Sequence, residues 1–444
     1  MNINSLLNKK FTCSSCNREH FIPTQAVVTQ KNAISNLPSF IERLLPEKNP
    51  SILILSDDIT YEIAGKKCEK ILKEIGAITS LVLKPKGREK VHADEKYITE
   101  LPEAAPNAQA ILTVGTGSVT DIGKYSAHRL KIPVISFPTA PSMNAYTSNV
   151  AAFLSHGLKV TVPVTPARGV IADIDILAES PIELIKSGFA DSLAKSFANA
   201  DWRISSMLTG ETFCLLPYQI ASKAEKKYIT KGKELISHDR DSIVGLLEGL
   251  HLGGFSMVLA GASSPASGGE HLISHFLDMY AHKHGKNVYA YHGLQVGLGV
   301  EISSGIYEKL KDLSLKDVQT MLSKRHIDYD REIAKLFPDD VTLITNEFKK
   351  KLPIINKWKE ELSSLWPRMQ KEAFPLANSH EKMKQCFTEA ACPTRFKDIG
   401  VSPDLAKQAI QSARYIRGRF TVLDIADELG ILQTSLERYT HTFD

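Results

Sequence analysis

Residues 110–127, AILTVGTGSVTDIGKYSA, indicate the architecture of the first part of the chain most clearly. Apolar and β-branched residues predict a buried strand over 110–114, and the apolar periodicity that begins near Val119 predicts a helix directly after it. The glycines of the intervening turn, Gly115-Thr-Gly117-Ser118, let the backbone approach a phosphate at the helix N-terminus. Because the spacing is not G-x-G-x-x-G, two interpretations stay open: a nucleotide-binding turn, or a turn that only closes a βα unit.

On either side of this segment, short β-branched runs alternate with helical patterns. SILILSDD is the clearest other strand, and a crossover helix is predicted over roughly 60–75. Further strands are predicted at 80–83, 133–137, 159–164 and 169–172. The alternation predicts an α/β, Rossmann-like nucleotide-binding domain over residues 1–180 with a mainly parallel sheet.

From residue 181 the pattern changes to long helices with almost no strand signal. Helices are predicted at 181–206, 246–262, 270–284, 341–363 and 403–428. Residues 181–444 are therefore predicted to form an all-helical domain that binds metal and substrate.

Composition excludes several classes of protein. The 444 residues are 43% hydrophobic and 23% charged, which is typical of a globular chain and unlike a collagen or a disordered protein. The net charge of +4 is spread along the chain, so we expect no nucleic-acid partner. Six cysteines and an N-terminus without an apolar core predict a cytoplasmic protein. The uncharged stretch 249–269 contains His251 and several Gly and Ser, which predicts a buried helix and loop rather than membrane insertion.

A second ligand-type loop follows the next strand, in VISFPTAPSMNAYTSN (134–149). Thr139, Ser142 and Ser148 supply hydroxyls at the carboxyl end of a strand, where ligands bind in open α/β sheets. Two such loops after successive strands favour the nucleotide interpretation.

Four residues of the helical half could form a metal site. Asp191 stands in the apolar helix pattern GFADSLAK, where an unpaired carboxylate would be costly to bury. SGGEHLISH places His271 and His275 one helical turn apart, and YHGLQVGLG presents His292. One carboxylate with two or three imidazoles suits a divalent cation with a coordination position open to substrate, although the spacings match neither a zinc finger nor H-E-x-x-H.

Taken together and in this order, GTGSVTD, FPTAPSMNAYTSN, GFADSLAK, SGGEHLISH and HGLQVG resemble the glycerol-1-phosphate dehydrogenases. That family shares a superfamily with dehydroquinate synthase and the iron-dependent alcohol dehydrogenases. The terminal stretches FTCSSCNREHFIPT and ARYIRGRFTVLDIADELGIL look like its bacterial branch. The resemblance implies a dehydroquinate synthase-like fold with catalysis between its two domains. It also implies a homodimer that interconverts dihydroxyacetone phosphate and sn-glycerol 1-phosphate with NAD(H) or NADP(H) and one divalent metal, zinc first, with nickel or iron as alternatives.

The resemblance also implies roles for individual residues. Asp191, His271 and His292 match metal ligands, and Asp191, His275 and Asn144 match catalytic or substrate-contacting positions. Lys159, Lys195 and His275 are candidates to bind the substrate phosphate by location. The implied cofactor-binding residues are Asp57, Gly117, Ser118, Val119, Thr120, Asp121, Thr139, Ala140, Pro141, Ser142 and Ser148.

Two residues depart from the family pattern. Asn144 stands where Asp is usual, and Leu294 stands where Glu is common. An amide in place of a carboxylate adds hydrogen-bond donors and removes a charge, which favours a different hydroxyl pattern in the substrate. Two other functions therefore stay open: a lyase of the dehydroquinate synthase type, and a non-catalytic descendant.

Two other clusters receive structural interpretations. Cys13-x-x-Cys16 with His20 has the form of half a zinc site, but no second Cys/His pair lies at finger spacing, so we interpret it as a plain turn between strands. Arg414, Arg417 and Arg419 are interpreted as forming ion pairs on a helix surface rather than a phosphate patch.

Overall fold

The computed structural model describes residues 3–86, 90–101, 106–155 and 158–440. Within them the first part of the chain forms one six-stranded parallel sheet and two hairpins. The sheet order is β3-β10-β7-β6-β4-β5. The strands are β1 (Lys10–Thr12), β2 (Glu19–Phe21), β3 (Ala26–Gln30), β4 (Ser51–Asp57), β5 (Ala77–Leu83), β6 (Ala110–Gly115), β7 (Val134–Pro138), β8 (Val150–Ser155), β9 (Leu158–Pro163) and β10 (Gly169–Asp173).

The chain changes direction across the sheet at β4. From β4 it passes outward to β5 on one side, and β6, β7 and β10 follow on the other side. The loops after β4 and β6 consequently flank a crevice at the carboxyl ends of neighbouring strands, which is where open α/β sheets bind ligands. The helix Gly117–Leu130 begins directly after β6, as predicted.

Two strands and one helix of the structure differ from the predictions. The edge strand β3 was not predicted, because its five half-buried residues lack a strong apolar run. The predicted strand 159–164 is present as β9, but it pairs with β8 in a separate antiparallel hairpin. The predicted crossover helix begins already at Asp58 and passes through a π-helical turn, Tyr61–Gly65, before Lys66–Leu72.

The remainder of the chain is helical within the described residues. Its α-helices are Ile182–Leu193, Lys195–Thr209, Leu215–Glu225, Gly232–Ile236, Arg240–Ala260, Gly269–Lys283, His292–Lys311, Leu315–Ser323, Tyr329–Leu336, Val341–Lys349, Leu352–Glu360, Leu362–Glu372, His380–Glu389, Pro403–Ser412, Val422–Glu428 and Ile431–Thr440. The first half adds Leu37–Leu44 and Ile174–Ala178. The predicted α/β architecture with a helical second half is confirmed. The sheet ends at Asp173 and the next long helix begins at Ile182. The domain boundary near residue 180 stays a prediction.

Several predicted helices are shorter than expected. The predicted helix 181–206 is interrupted at Ala194, and 341–363 is divided among three helices. The predicted helix 403–428 ends at Ser412, and a new helix starts at Val422 with Thr421 in a capping box. The loop between them carries two arginines into the site described below.

The helix Arg240–Ala260 is long and apolar enough to span a bilayer by length and composition. Two thirds of its most apolar window, 67%, is buried within the fold. It packs against the helices Leu215–Glu225 and Ile182–Leu193, which is the arrangement of a core helix.

The N-terminal hairpin of β1 and β2 does not join the main sheet. It packs instead on the helical half, where Ile22 and Cys13 share an apolar cluster with Trp202, Phe255 and Leu259. Leu7, Cys13 and Ile22 therefore pack against elements that come about 200 positions later.

Candidate active site

A cavity of about 630 Å³ lies between the carboxyl edge of the sheet and the helical half. The turn after β6 contributes Thr116, Gly117 and Ser118 to its wall, and the loop after β7 contributes residues from Thr139 to Ser148. The opposite wall comes from the helices Gly269–Lys283 and His292–Lys311.

At one end of the cavity, Asp191, His271 and His292 converge. One ligand atom from each lies within 4.8 Å of the others. Nε2 of His271 is 3.3 Å from Oδ1 of Asp191, and the His271 and His292 ring centres are 5.3 Å apart. Three separate helices therefore bring together a carboxylate and two imidazoles.

Glycines allow these helices to come close enough. A Cβ at Gly293 would overlap the carbonyl oxygen of Ser187, and one at Gly299 would overlap the carbonyl oxygen of Glu270. The two glycines lie on the helix His292–Lys311, so its backbone touches both of the other ligand-bearing helices. Larger residues at these positions would separate His292 from Asp191 and His271.

The cluster fits a divalent metal ion. Oδ2 of Asp191 is buried and has no hydrogen-bond partner among the described residues, which is costly unless a ligand meets it. Burial acts to raise the pKa of Asp191, but the charges of Lys195 and His271 outweigh burial and hold that pKa below its usual range. Burial lowers the pKa of His292 to about 4, so its imidazole is neutral at pH 7, the form that binds metals.

Glu270 supports the cluster from behind. Its Oε1 is 2.8 Å from Nδ1 of His271, and the same oxygen accepts a 2.7 Å hydrogen bond from the N–H of Gly268. With Nδ1 held by a carboxylate, Nε2 is left to face Asp191, an arrangement that orients metal-binding histidines. Ser274 approaches Nδ1 of His292 at 3.3 Å.

His275 and Asn144 line the cavity beside this cluster. The ring of His275 is stacked near that of His292, with centres 6.1 Å apart, and its buried Nδ1 has no partner among the described residues. Asn144 opens a short turn after β7. A Cβ added at Gly253 would lie 3.4 Å from Cε of Lys195 and 3.9 Å from Nδ2 of Asn144, so these two side chains are neighbours.

Cationic side chains gather at another part of the wall: Lys159, Arg417 and Arg419. Nζ of Lys159 pairs with Oδ2 of Asp278 at 3.3 Å. Arg417 donates to the carbonyl oxygen of Lys159 at 2.6 Å, and Arg419 donates to Oγ of Ser263 at 2.7 Å. Among the described residues neither arginine has a carboxylate partner, so both retain charge for an anionic ligand.

The interpretation of the three arginines as surface ion pairs is wrong. Arg417 and Arg419 line the cavity, because the helix predicted there is broken and its loop turns inward. Arg414 does pair with Asp424, Asp427 and Glu428, but it is fully buried and away from the surface. No local sequence pattern distinguishes these three environments.

The predicted cofactor residues fall into two groups. Those that line the cavity are Asp57, Gly117, Ser118, Asp121, Thr139, Ser142 and Ser148. The others, Val119, Thr120, Ala140 and Pro141, are buried behind the wall or outside its lining. A Cβ at Gly117 would overlap Sδ of Met143, so a larger residue here would displace the Met143 side chain. The side chain of Thr116 does not cap the following helix, so the first N–H groups of that helix stay available to an anion.

Asp121 and Lys124 form a buried pair beneath the loop after β7. Their charged atoms are 3.0 Å apart, and Nζ of Lys124 also donates to Oγ of Ser148 at 2.9 Å. Oδ2 of Asp121 accepts from the N–H of Ala152. The pair connects the helix Gly117–Leu130 to β8 and thereby shapes the cavity wall. Leu294, the second departure from the family pattern, is buried and outside the cavity lining.

The chain is similar in sequence to known dehydrogenases. Residues 28–181 match the family model described as iron-containing alcohol dehydrogenase. The chain is 30% identical over 311 residues to a glycerol-1-phosphate dehydrogenase [NAD(P)+] of Pyrococcus horikoshii, covering 69% of this chain and 86% of the relative. A relative of the same name in Bacillus licheniformis is 27% identical over 431 residues, covering 96% of this chain and 95% of that protein.

Solved structures share the fold. Glycerol dehydrogenase from Schizosaccharomyces pombe superposes with a TM-score of 0.61 at 17% identity, covering 99% of this chain and 94% of that one. Sulfoacetaldehyde reductase from Bifidobacterium kashiwanohense, in complex with NAD+, gives a TM-score of 0.60 at 13% identity, covering 95% of this chain and 98% of that one.

Proposed function

The chain belongs to the glycerol-1-phosphate dehydrogenase family, and on that premise we propose that it interconverts dihydroxyacetone phosphate and sn-glycerol 1-phosphate with NAD(H) or NADP(H) and one divalent metal ion. The observation that carries this proposal is the position of the Asp191, His271 and His292 cluster. It opens into the same cavity as the glycine turn after β6 and as Arg417 and Arg419. The residues proposed to bind a metal, a nucleotide and a phosphate thus line one cavity.

The protein residues divide the work of binding and orientation. Asp191, His271 and His292 would hold the metal. Zinc is our first choice, and nickel and iron are alternatives because one carboxylate and two imidazoles suit all three metals. When bound, the divalent ion polarises the ketone and the nicotinamide supplies the hydride. Glu270 keeps the His271 ring in its orientation through the Nδ1 contact.

Different residues of the cavity wall would bind the cofactor and the substrate phosphate. Gly117 and Ser118 present backbone N–H groups at a helix N-terminus to the pyrophosphate, and Asp57 lies at the end of β4 near the expected ribose. Lys159, Arg417 and Arg419 supply charge-assisted hydrogen bonds to the substrate phosphate. His275 and Asn144 then contact the hydroxyl end of the substrate beside the metal ligands.

A direct assay tests the proposal. Cofactor absorbance is followed with NADH or NADPH and dihydroxyacetone phosphate, using metal-stripped protein and protein reloaded with Zn²⁺ or Ni²⁺. We expect oxidation of the reduced cofactor that depends on the metal and disappears in His271→Ala and His292→Ala. Protein that binds NADH but stays silent with every metal would overturn the assignment. Transient cofactor turnover with phosphate release and no net oxidation would point to the lyase chemistry instead.

We also propose a homodimer in the cytoplasm. The family supports the dimer. Two observations support the compartment. The helix Arg240–Ala260, the only one in the described part of the chain that is long and apolar enough to span a bilayer, is mostly buried, and none of the six cysteines is in a disulfide. Sedimentation at several concentrations and fractionation of cells measure the two properties.

A further inference from the structure

Four potential metal ligands meet at the N-terminal hairpin, outside the lining of the active-site cavity. Cys13 and Cys16 lie in the turn between β1 and β2, and His20 lies on β2. Cys214 arrives from the segment that joins Lys195–Thr209 to Leu215–Glu225. Three sulfur atoms and one imidazole nitrogen lie within 4.8 Å of one another.

The hairpin turn directs both of its thiols to one side. The N–H of Cys13 donates to the carbonyl of Arg18 at 2.9 Å, and the N–H of Asn17 donates back to Cys13 at 2.8 Å. Asn17, directly after Cys16, has φ of 55°, the left-handed conformation that reverses the chain. The turn therefore closes on itself with the sulfur atoms of Cys13 and Cys16 turned toward His20.

The distances between ligand atoms are those of a tetrahedral site. With Zn–S near 2.3 Å and Zn–N near 2.0 Å, a tetrahedron separates two sulfurs by about 3.8 Å and sulfur from nitrogen by about 3.5 Å. Sγ of Cys13 and Sγ of Cys214 are 3.7 Å apart. Nε2 of His20 lies 3.2 Å from Sγ of Cys16 and 3.7 Å from Sγ of Cys214. A disulfide needs about 2.05 Å between its sulfurs, so the thiols are not bonded to one another.

The surroundings resemble those of a structural rather than a catalytic site. Cys13 and Cys214 are buried, and the apolar residues Leu7, Ile22, Trp202 and Leu259 enclose the cluster. The N–H of Ser15 approaches Sγ of Cys13 at 3.4 Å, and Oγ of Ser15 accepts from the N–H of Leu215 at 3.0 Å. These bonds orient the sulfur atoms from outside the ligand set. Four protein ligands leave no position open for substrate.

We propose that Cys13, Cys16, His20 and Cys214 bind one structural zinc ion that fastens the N-terminal hairpin to the helical half of the protein. Three cysteines and one histidine are a common ligand set for structural zinc. Because Cys214 is about 200 residues away in sequence, spacing alone could not reveal the fourth ligand. The predicted turn between two strands is present, and the proposal adds metal binding to the role of its cysteines.

The site would also support the active-site cavity. The hairpin packs against the helix Arg240–Ala260, whose Gly253 borders Lys195 and Asn144 and whose Met257 lines the cavity. Binding energy for zinc is folding energy for the elements that it joins. Loss of the metal is therefore expected to loosen this helix before it affects the sheet.

Metal analysis of the full chain separates this site from the active site. In a His271→Ala, His292→Ala background, we expect one zinc ion per chain to remain after purification. Cys16→Ser with Cys214→Ser should remove it, whereas Cys68→Ser, which removes a buried thiol in a different apolar cluster, should not. With Co²⁺ in place of zinc, the thiolate charge-transfer absorption should survive the histidine substitutions and be lost with the cysteine substitutions. Because active-site metal is absent throughout, failure of the proposed dehydrogenase activity would not alter this result.

A thiol-protection measurement on the unmodified protein covers the case in which the cysteine variants do not fold. Alkylation followed by mass spectrometry should show Cys13, Cys16 and Cys214 protected, and a chelator should expose them. Cys68 should react equally slowly with and without chelator. Zinc content independent of Cys16 and Cys214, alkylation that a chelator leaves unchanged, or a disulfide joining Cys13 to Cys214 would each overturn the proposal.

Discussion

Oε1 of Glu270 lies 2.8 Å from Nδ1 of His271, and this contact turns Nε2 of the same ring toward Oδ1 of Asp191, 3.3 Å away. Glu270 is fully buried and also accepts from Gly268, so the carboxylate is held in place by its own backbone. Glu270 and His271 are adjacent in the sequence. Their place at the start of the helix that begins at Gly269 brings the Glu270 carboxylate to Nδ1 of His271.

Glu270→Gln should weaken metal binding without removing a ligand. The amide is less basic toward His271, and substitutions of such supporting groups typically cost about 10- to 100-fold in metal affinity. Competition with a coloured chelator measures the affinity. Glu225→Gln, a largely buried glutamate that accepts from Asn378 away from the cavity, is the matched control and should leave the affinity unchanged. Equal metal affinities in the two variants would contradict a role of Glu270 in metal binding.

Arg417→Ala should raise KM for dihydroxyacetone phosphate. Burial lowers the pKa of Arg417 to about 10, so the side chain is still charged at neutral pH. A lost hydrogen bond to a charged group costs about 1.5–3 kcal/mol, or roughly a 10- to 100-fold rise in KM. Unphosphorylated dihydroxyacetone should react equally with wild type and variant, and Arg395→Ala, an arginine paired with Asp398, should behave as wild type. An equal loss with both substrates would indicate that Arg417 only supports the fold.

Asn144→Asp should raise turnover of dihydroxyacetone phosphate. The substitution restores the carboxylate that the family carries at this position, beside Lys195 and within the cavity wall. A carboxylate is a stronger acceptor for a substrate hydroxyl than an amide oxygen. The measurement is kcat and KM under saturating cofactor, with Asn149→Asp, just beyond the same loop, as a control for added charge. Unchanged or reduced turnover would show that Asn144 serves a substrate with a different hydroxyl pattern.

Glu301→Gln should flatten the dependence of stability on pH. Burial raises the pKa of Glu301 from 4.5 to about 7, so the folded protein holds this proton more tightly than the unfolded chain. This contribution, roughly 3 kcal/mol, is fully present below about pH 4.5, falls as the pH rises and is lost once the pH passes about 7. Urea unfolding of wild type and variant at about pH 5 and about pH 8 measures the difference. Parallel declines in both proteins would contradict the assignment to Glu301.

Features that depend on residues within one helix or strand could be predicted from the sequence alone. The strand before Gly115, the helix after it and the apolar setting of Asp191 all follow from neighbours a few positions apart. Such patterns reflect local backbone preference and burial of one face, which depend on nearby residues. The α/β plan and the identity of the candidate metal ligands came from patterns of this kind, aided by the family resemblance.

Contacts between residues that are distant in the sequence could not be predicted from such local patterns. Cys214 joins Cys13 only because the hairpin of β1 and β2 packs on the helical half instead of the sheet. Arg417 and Arg419 face the cavity because a helix that periodicity would continue is interrupted before Thr421. Which side chains meet across such distances is set by how whole elements pack to bury their apolar faces, a property of the complete fold that no single stretch of residues carries.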